Sequence, residues 1–133
     1  MLKLEAGTVL HIWCTHCNPR KWKFYVVAFV EPKLRYFLIN SQPAAFQRKE
    51  PELLAHQVGL LQKDHGFLSR NSVLDCSQLS GGPTASELED MYQDDSGILL
   101  GRIQTSPRRA VRAVVAKSNL LTPAEIKAIL GIW

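Results

Sequence analysis

Little in this chain points to a membrane, a secretory route or a disulfide-built fold. No apolar run approaches the ~20 residues that a membrane span requires. The opening stretch, MLKLEAGTVLHIW, lacks the long apolar core and small-residue cleavage site of a signal peptide. Cysteine is scarce: the three present are an odd number, which excludes a full disulfide framework within one chain and supports a reducing compartment. There is no internal repeat. A soluble cytoplasmic protein is the expectation. The net charge of +4 hints at anionic partners, although solvated lysines and arginines alone would also produce it.

What is present suffices for an ordinary globular core. At 133 residues, 46% of them hydrophobic and 21% charged, residues 1–133 read as a single domain. A chain of that size buries roughly two-thirds of its unfolded surface and needs no staples.

The centre of the pattern is Lys23 to Gln42, KFYVVAFVEPKLRYFLINSQ. Phe24 to Val30 is almost wholly apolar and rich in aromatic and β-branched residues, as suits a strand covered on both faces. Glu31-Pro32-Lys33 breaks the run, with Pro32 preset for a turn. Arg35 to Ile39 resumes as a second strand, and Asn40-Ser41-Gln42-Pro43 ends it. Basic residues (Arg20, Lys21, Lys23) therefore gather where the first strand begins. Small polar ones (Asn40, Ser41, Gln42) gather where the second ends.

Other short strands flank this hairpin. Thr8 to Trp13 alternates, with Thr8, Leu10 and Ile12 on one side and Val9, His11 and Trp13 on the other. Val58 to Gln62 is a candidate strand. Ser72 to Ser77 alternates, Val73 and Asp75 against Leu74 and Cys76. Ile98 to Ile103 reads as the last strand. Between Pro43 and Gln57 the pattern is ambiguous between a helical turn and an extended connection. Thr84 to Glu87 has capping-box spacing and predicts a short helix over 85–92. That helix lies in an acidic stretch near 80–96, which reads as an exposed insertion. Two helices close the chain. Ser106 is the expected N-cap of the first, with Pro107 at its first position. Thr122-Pro123-Ala124-Glu125 opens the second. The fold class is mainly β with C-terminal α: a small, curved antiparallel barrel followed by two short helices.

Several motifs admit more than one reading. Cys14-Thr15-His16-Cys17 has the spacing of half a zinc knuckle, with His11, His56, His65 and Cys76 able to supply the rest. No second close pair accompanies it, and a loop with two free thiols fits as well. A catalytic Cys–His pair among the same residues is a further alternative. Arg102, Arg108, Arg109 and Arg112 could grip phosphates or form a solvated helix face. Three arginines in the first turns of a helix oppose its dipole at a small cost, which slightly favours a reason for them; a nearby acidic partner is one, and residues 87–95 could be it. Trp13 and Trp22 could stack bases beside Arg20 and Lys21 or belong to core and rim. Trp133 is either tucked into the barrel or part of a dimer contact.

The order of elements, with particular residues on it, resembles the PemK/MazF family of bacterial toxins. Glu5-Ala6-Gly7-Thr8-Val9-Leu10 is similar to the family's opening. Lys23-Phe24-Tyr25-Val26-Val27 sits where the family has a basic residue entering a hydrophobic strand. Ser72 to Leu79, and Leu100-Gly101-Arg102-Ile103 followed by Leu121 to Ile126, resemble its later strand and its end. The resemblance implies an SH3-like barrel, usually dimeric, and a metal-independent endoribonuclease of single-stranded RNA neutralised by a small antitoxin. No cofactor is implied, because the RNA 2′-OH is the nucleophile. The residues that match the family's catalytic positions are Lys23 (or Lys21) and Ser41, with Arg20, Trp22 and Gln42 holding the strand. The family's arginine-proline pair is absent here. A non-catalytic SH3-like module, binding protein or nucleic acid through a basic face, is the alternative.

Overall fold

The computed structural model describes residues 2–133. Six strands form one antiparallel sheet: β1 (Thr8–Cys14), β2 (Lys21–Phe29), β3 (Arg35–Asn40), β4 (Gln57–Leu60), β5 (Ser72–Ser80) and β6 (Leu99–Arg102). Their spatial order is β4-β5-β3-β2-β1-β6. The registers slip between Val9 and Leu10, Val27 and Phe29, and Tyr36 and Leu38. Such irregularities bend a strand and raise its twist, so the sheet curls into a half-barrel. Two helices follow at the chain end, α4 (Thr105–Ala116) and α5 (Pro123–Leu130). The mainly β class with C-terminal helices is as expected.

Both faces of the sheet are covered, which is why β2 lacks alternation. Val26, Ala28, Phe37, Ile39, Leu74 and Cys76 pack with Val111 and Val115 of α4 and Ile129 of α5. Leu10, Ile12, Tyr25, Val27 and Tyr36 form a second core on the other face. That core is closed by Leu88, fully buried on α3 (Ala85–Asp94). The acidic side chains of α3 lie outward, but its inner side is core, so the segment is more than an insertion. Its four-residue spacing of Leu88 and Tyr92 was the available sign.

Two open alternatives are settled, at the Pro43–Gln57 stretch and at Trp133, and two expectations, the Ser106 cap and the free thiols of Cys14 and Cys17, are corrected. The stretch between Pro43 and Gln57 forms two short helices, α1 (Ala45–Arg48) and α2 (Pro51–Ala55). Helix α4 begins two residues earlier than a Ser106 cap allows: Gln104 is the N-cap, and its N–H donates to His65 Nε2 at 3.3 Å. Pro107 then falls at the third helical position, where a missing N–H still costs nothing. Cys14 and Cys17 are joined as a disulfide, not free. Trp133 is tucked in: its Nε1 donates to Ala28 O at 2.7 Å and its ring lies against Phe37.

The second terminal helix begins as expected. Thr122 Oγ1 accepts from Glu125 N, and Thr122 N donates to Glu125 Oε1 at 2.8 Å. Thr122→Ala should cost about 1 kcal/mol, read as a lower urea midpoint with an unchanged slope.

Gly7 adopts φ +85°, and a Cβ there would come within 2.2 Å of Arg108 Nη1. Both the backbone turn and the close approach of a guanidinium require glycine at the entrance to β1.

Candidate functional site at the basic rim

The start of β2 and the end of β3 meet at one rim of the half-barrel. Along β2, Lys21 and Lys23 lie on the face of Tyr25, opposite Cys14 and Ile12 of β1. Lys23 is half-buried, and its Nζ donates a hydrogen bond to Asn40 Oδ1, the last residue of β3. Ser41 and Gln42 follow immediately and are exposed, as are Arg20 and Lys21. Burial holds the Lys23 pKa below the usual lysine value, and the neighbouring Lys21 ammonium lowers it further, against an opposing pull from Asp75.

Behind this rim lies a polar network. Asp75, on β5, is 5% exposed. Its carboxylate accepts from Gln47 Nε2 (2.9 Å), Gln57 Nε2 (2.9 Å), and both the backbone N–H (3.0 Å) and the hydroxyl (2.5 Å) of Ser77. Gln47 Oε1 in turn accepts from Ala44 N, which closes the N-terminus of α1, the helix that follows the loop carrying Ser41. Gln57 Oε1 is buried without a partner. Asn40, Gln47, Gln57 and Asp75 are the residues that reading the sequence did not assign to the site. The available sign was Asp75 itself, an acid in the middle of a strand whose neighbours are core.

The remaining candidates separate from this rim. Trp22 lies on the opposite face, with His11 (ring centroids 5.3 Å apart) and Trp13 (5.8 Å). It does not share a surface with Lys23. The arginines sit at the far end of β1, where Arg102 pairs with Thr8 while Lys21 pairs with Cys14. Six residues of strand separate those positions by about 20 Å. Arg102 Nη1 makes an ion pair with Glu5 at 2.8 Å. Arg108 donates to Ala6 O (2.6 Å) and Ile132 O (3.3 Å) and stacks on Trp133. Arg112 donates to Leu130 O at 2.7 Å. Arg109 is exposed. Backbone carbonyls and Glu5, rather than residues 87–95, are the acceptors, so the helix arginines need no acidic segment to explain them.

The other titratable candidates are committed to the fold. His65 Nε2 accepts from Gln104, so its Nδ1 carries the proton donated to Leu61 O at 3.0 Å. His56 bridges Glu52 O (2.6 Å) and Ser118 Oγ (2.8 Å). Cys76 is buried, and desolvation drives its thiol pKa well above the ordinary range. Among the described residues no group of three His, Cys, Asp or Glu side chains is placed to hold a metal.

The Lys23 shift carries a pH prediction. In the unfolded chain Lys23 holds its proton to higher pH than in the folded one, so the unfolded state binds more protons between the two pKa values. Stability from this group therefore rises as pH climbs through that window, and the charged form is a burden below it. Lys23→Met should be more stable than the parent at neutral pH and should lose that rise. Urea unfolding at neutral and at alkaline pH would show it, and a parallel pH dependence in both proteins would refute it.

Compared with known protein families, with curated proteins and with solved structures, the chain matches none.

Proposed function

We propose that the chain is a toxin-like, metal-independent endoribonuclease acting on single-stranded RNA at the Lys21–Lys23–Ser41 rim. The observation that carries this reading is Lys23: a half-buried amine with a depressed pKa, hydrogen-bonded to the residue that precedes an exposed hydroxyl. In its neutral form Lys23 takes the proton of a 2′-OH. That oxygen attacks the adjacent phosphorus, the P–O5′ bond breaks, the 5′-oxygen leaves as a hydroxyl with a proton from water, and a 2′,3′-cyclic phosphate forms, after which Lys23 returns its proton to solvent. Lys21 holds the phosphate as a point charge, and Ser41 donates to a non-bridging oxygen as negative charge develops. Arg20 and Gln42, exposed at the same rim, hold the strand. The resemblance to PemK/MazF toxins supports the reading, and with it a cytoplasmic setting, a small antitoxin and a homodimer.

One observation favours the second reading, a non-catalytic module that binds RNA or protein through the same rim. The Lys23 amine is already engaged with Asn40, which suits a fixed binding group. A single assay separates the two. Mixed-sequence single-stranded RNA is incubated with the protein in excess chelator. Fragments ending in 2′,3′-cyclic phosphate are expected, and retention of intact RNA on the protein would select the module.

A further inference from the structure

Cys14 and Cys17 form a disulfide across a sequence separation of three. So short a bridge constrains little of the unfolded chain: the loop-entropy relation gives about 2 kcal/mol for four residues, against nearly ~5 for a hundred. It is weakly explained as a staple, although Cys14 and Cys17 both pack with the second core. The two sulfurs differ in access. Cys14 is 1% exposed at the end of β1, whereas Cys17 lies partly exposed in the loop that follows. In the β1–β2 register Cys14 stands directly opposite Lys21, and directly opposed side chains share a face about 5 Å apart at Cβ. Lys23 is next on that face, and Arg20 precedes Lys21. Cations close by favour the thiolate, and reactive cysteines occupy electropositive, partly exposed surroundings.

We propose that Cys14–Cys17 is a redox site, a dithiol–disulfide couple that exchanges with an external dithiol. A thiolate of that reductant attacks Cys17 Sγ, the accessible sulfur. The Cys14–Cys17 bond breaks, and Cys14 leaves as a thiolate beside Lys21. The reductant's second thiolate then attacks its own sulfur in the mixed disulfide and releases Cys17. Two electrons pass from the reductant, which becomes a disulfide, and two protons end on Cys14 and Cys17. A disulfide in a reducing compartment is as a rule transient, formed in catalysis or redox sensing. Its opening unties Cys17 from Cys14 at the end of β1, opposite Lys21. The inference does not rest on RNA cleavage and is tested without RNA.

The purified full chain is equilibrated in graded mixtures of reduced and oxidised dithiothreitol. Free thiols are then trapped by alkylation and located by mass. One reversible transition is expected, gaining two labels in the peptide that holds Cys14 and Cys17 and none at Cys76 without denaturant. Lys21→Gln should slow reduction about threefold, the size that a Brønsted coefficient of about 0.4–0.5 gives for a less stabilised leaving thiolate, and Lys21→Arg should restore the rate. Hydrogen exchange over residues 14–23 should rise on reduction. Cys17→Ser, at the surface, should abolish the transition even if Cys14→Ser fails to fold. Reduction only in denaturant, three thiols after oxidation, or the parental rate in Lys21→Gln would each overturn the proposal.

Discussion

Asp75→Ala is expected to lower the unfolding free energy by about 3–5 kcal/mol, the range seen when a buried polar network loses its central acceptor. Four hydrogen bonds end on this carboxylate, from Gln47, Gln57 and twice from Ser77. Alanine would leave those donors facing one another. Gln47, 3% exposed, cannot turn away, because its Oε1 is held by Ala44 N. An unpaired buried donor costs about 1–3 kcal/mol, while the Ser77 hydroxyl can rotate and Gln57 Nε2 keeps a second acceptor, Leu53 O at 3.1 Å, so the total falls below the sum. Asp75→Asn should cost less, since one oxygen still accepts, but its amide nitrogen would meet another donor. Urea unfolding of both variants checks the order. The alanine variant should also expose α1 to proteolysis, since Gln47 is its buried anchor. An alanine variant within about 1 kcal/mol of the parent would show that the network does not hold the rim.

The second large effect is on cleavage. Lys23→Ala should reduce the rate of 2′,3′-cyclic phosphate formation by about 10²–10⁴, the usual contribution of a positioned proton-transfer group. Lys23→Arg is the informative companion. It keeps the charge but cannot deprotonate in the working range, so it should be nearly as inactive if Lys23 is the base and largely active if Lys23 only holds phosphate. In the parent, the rate should rise with pH and level off at the Lys23 pKa, below the ordinary lysine value. Ser41→Ala should lower the rate at every pH without moving that profile, because it removes a donor rather than the titrating group. Parental cleavage by both Lys23→Ala and Ser41→Ala would place any activity elsewhere.

The architecture was largely legible in the residues, and the reasons are local. The unbroken apolar run of β2 predicted a doubly covered strand, and both its faces are buried. The alternation in β1 placed Leu10 and Ile12 against Val9 and His11, and the register agrees. Capping boxes at Thr84 and Thr122 were read from spacing alone. What was not legible depended on contacts between distant segments. Gln104 stands at the start of α4 without a side-chain cap, and its N–H goes to His65, 39 residues earlier. The arginines of α4 looked like a phosphate grip because their acceptors are backbone carbonyls, which no sequence pattern marks. Half of the proposed rim was visible as charge clustering at one strand start and one strand end. The buried half, Gln47, Gln57 and Asp75, comes from three separate elements, and only the fold assembles it.

The Arg108 clasp has a practical consequence for how the molecule can be handled. One guanidinium holds the carbonyls of Ala6 and Ile132, so the approach to β1 and the last residues of the chain emerge together. That pole is about 20 Å along β1 from Lys21. A tether attached through the C-terminal end would therefore orient the protein on a sensor surface with its lysine rim facing the flow.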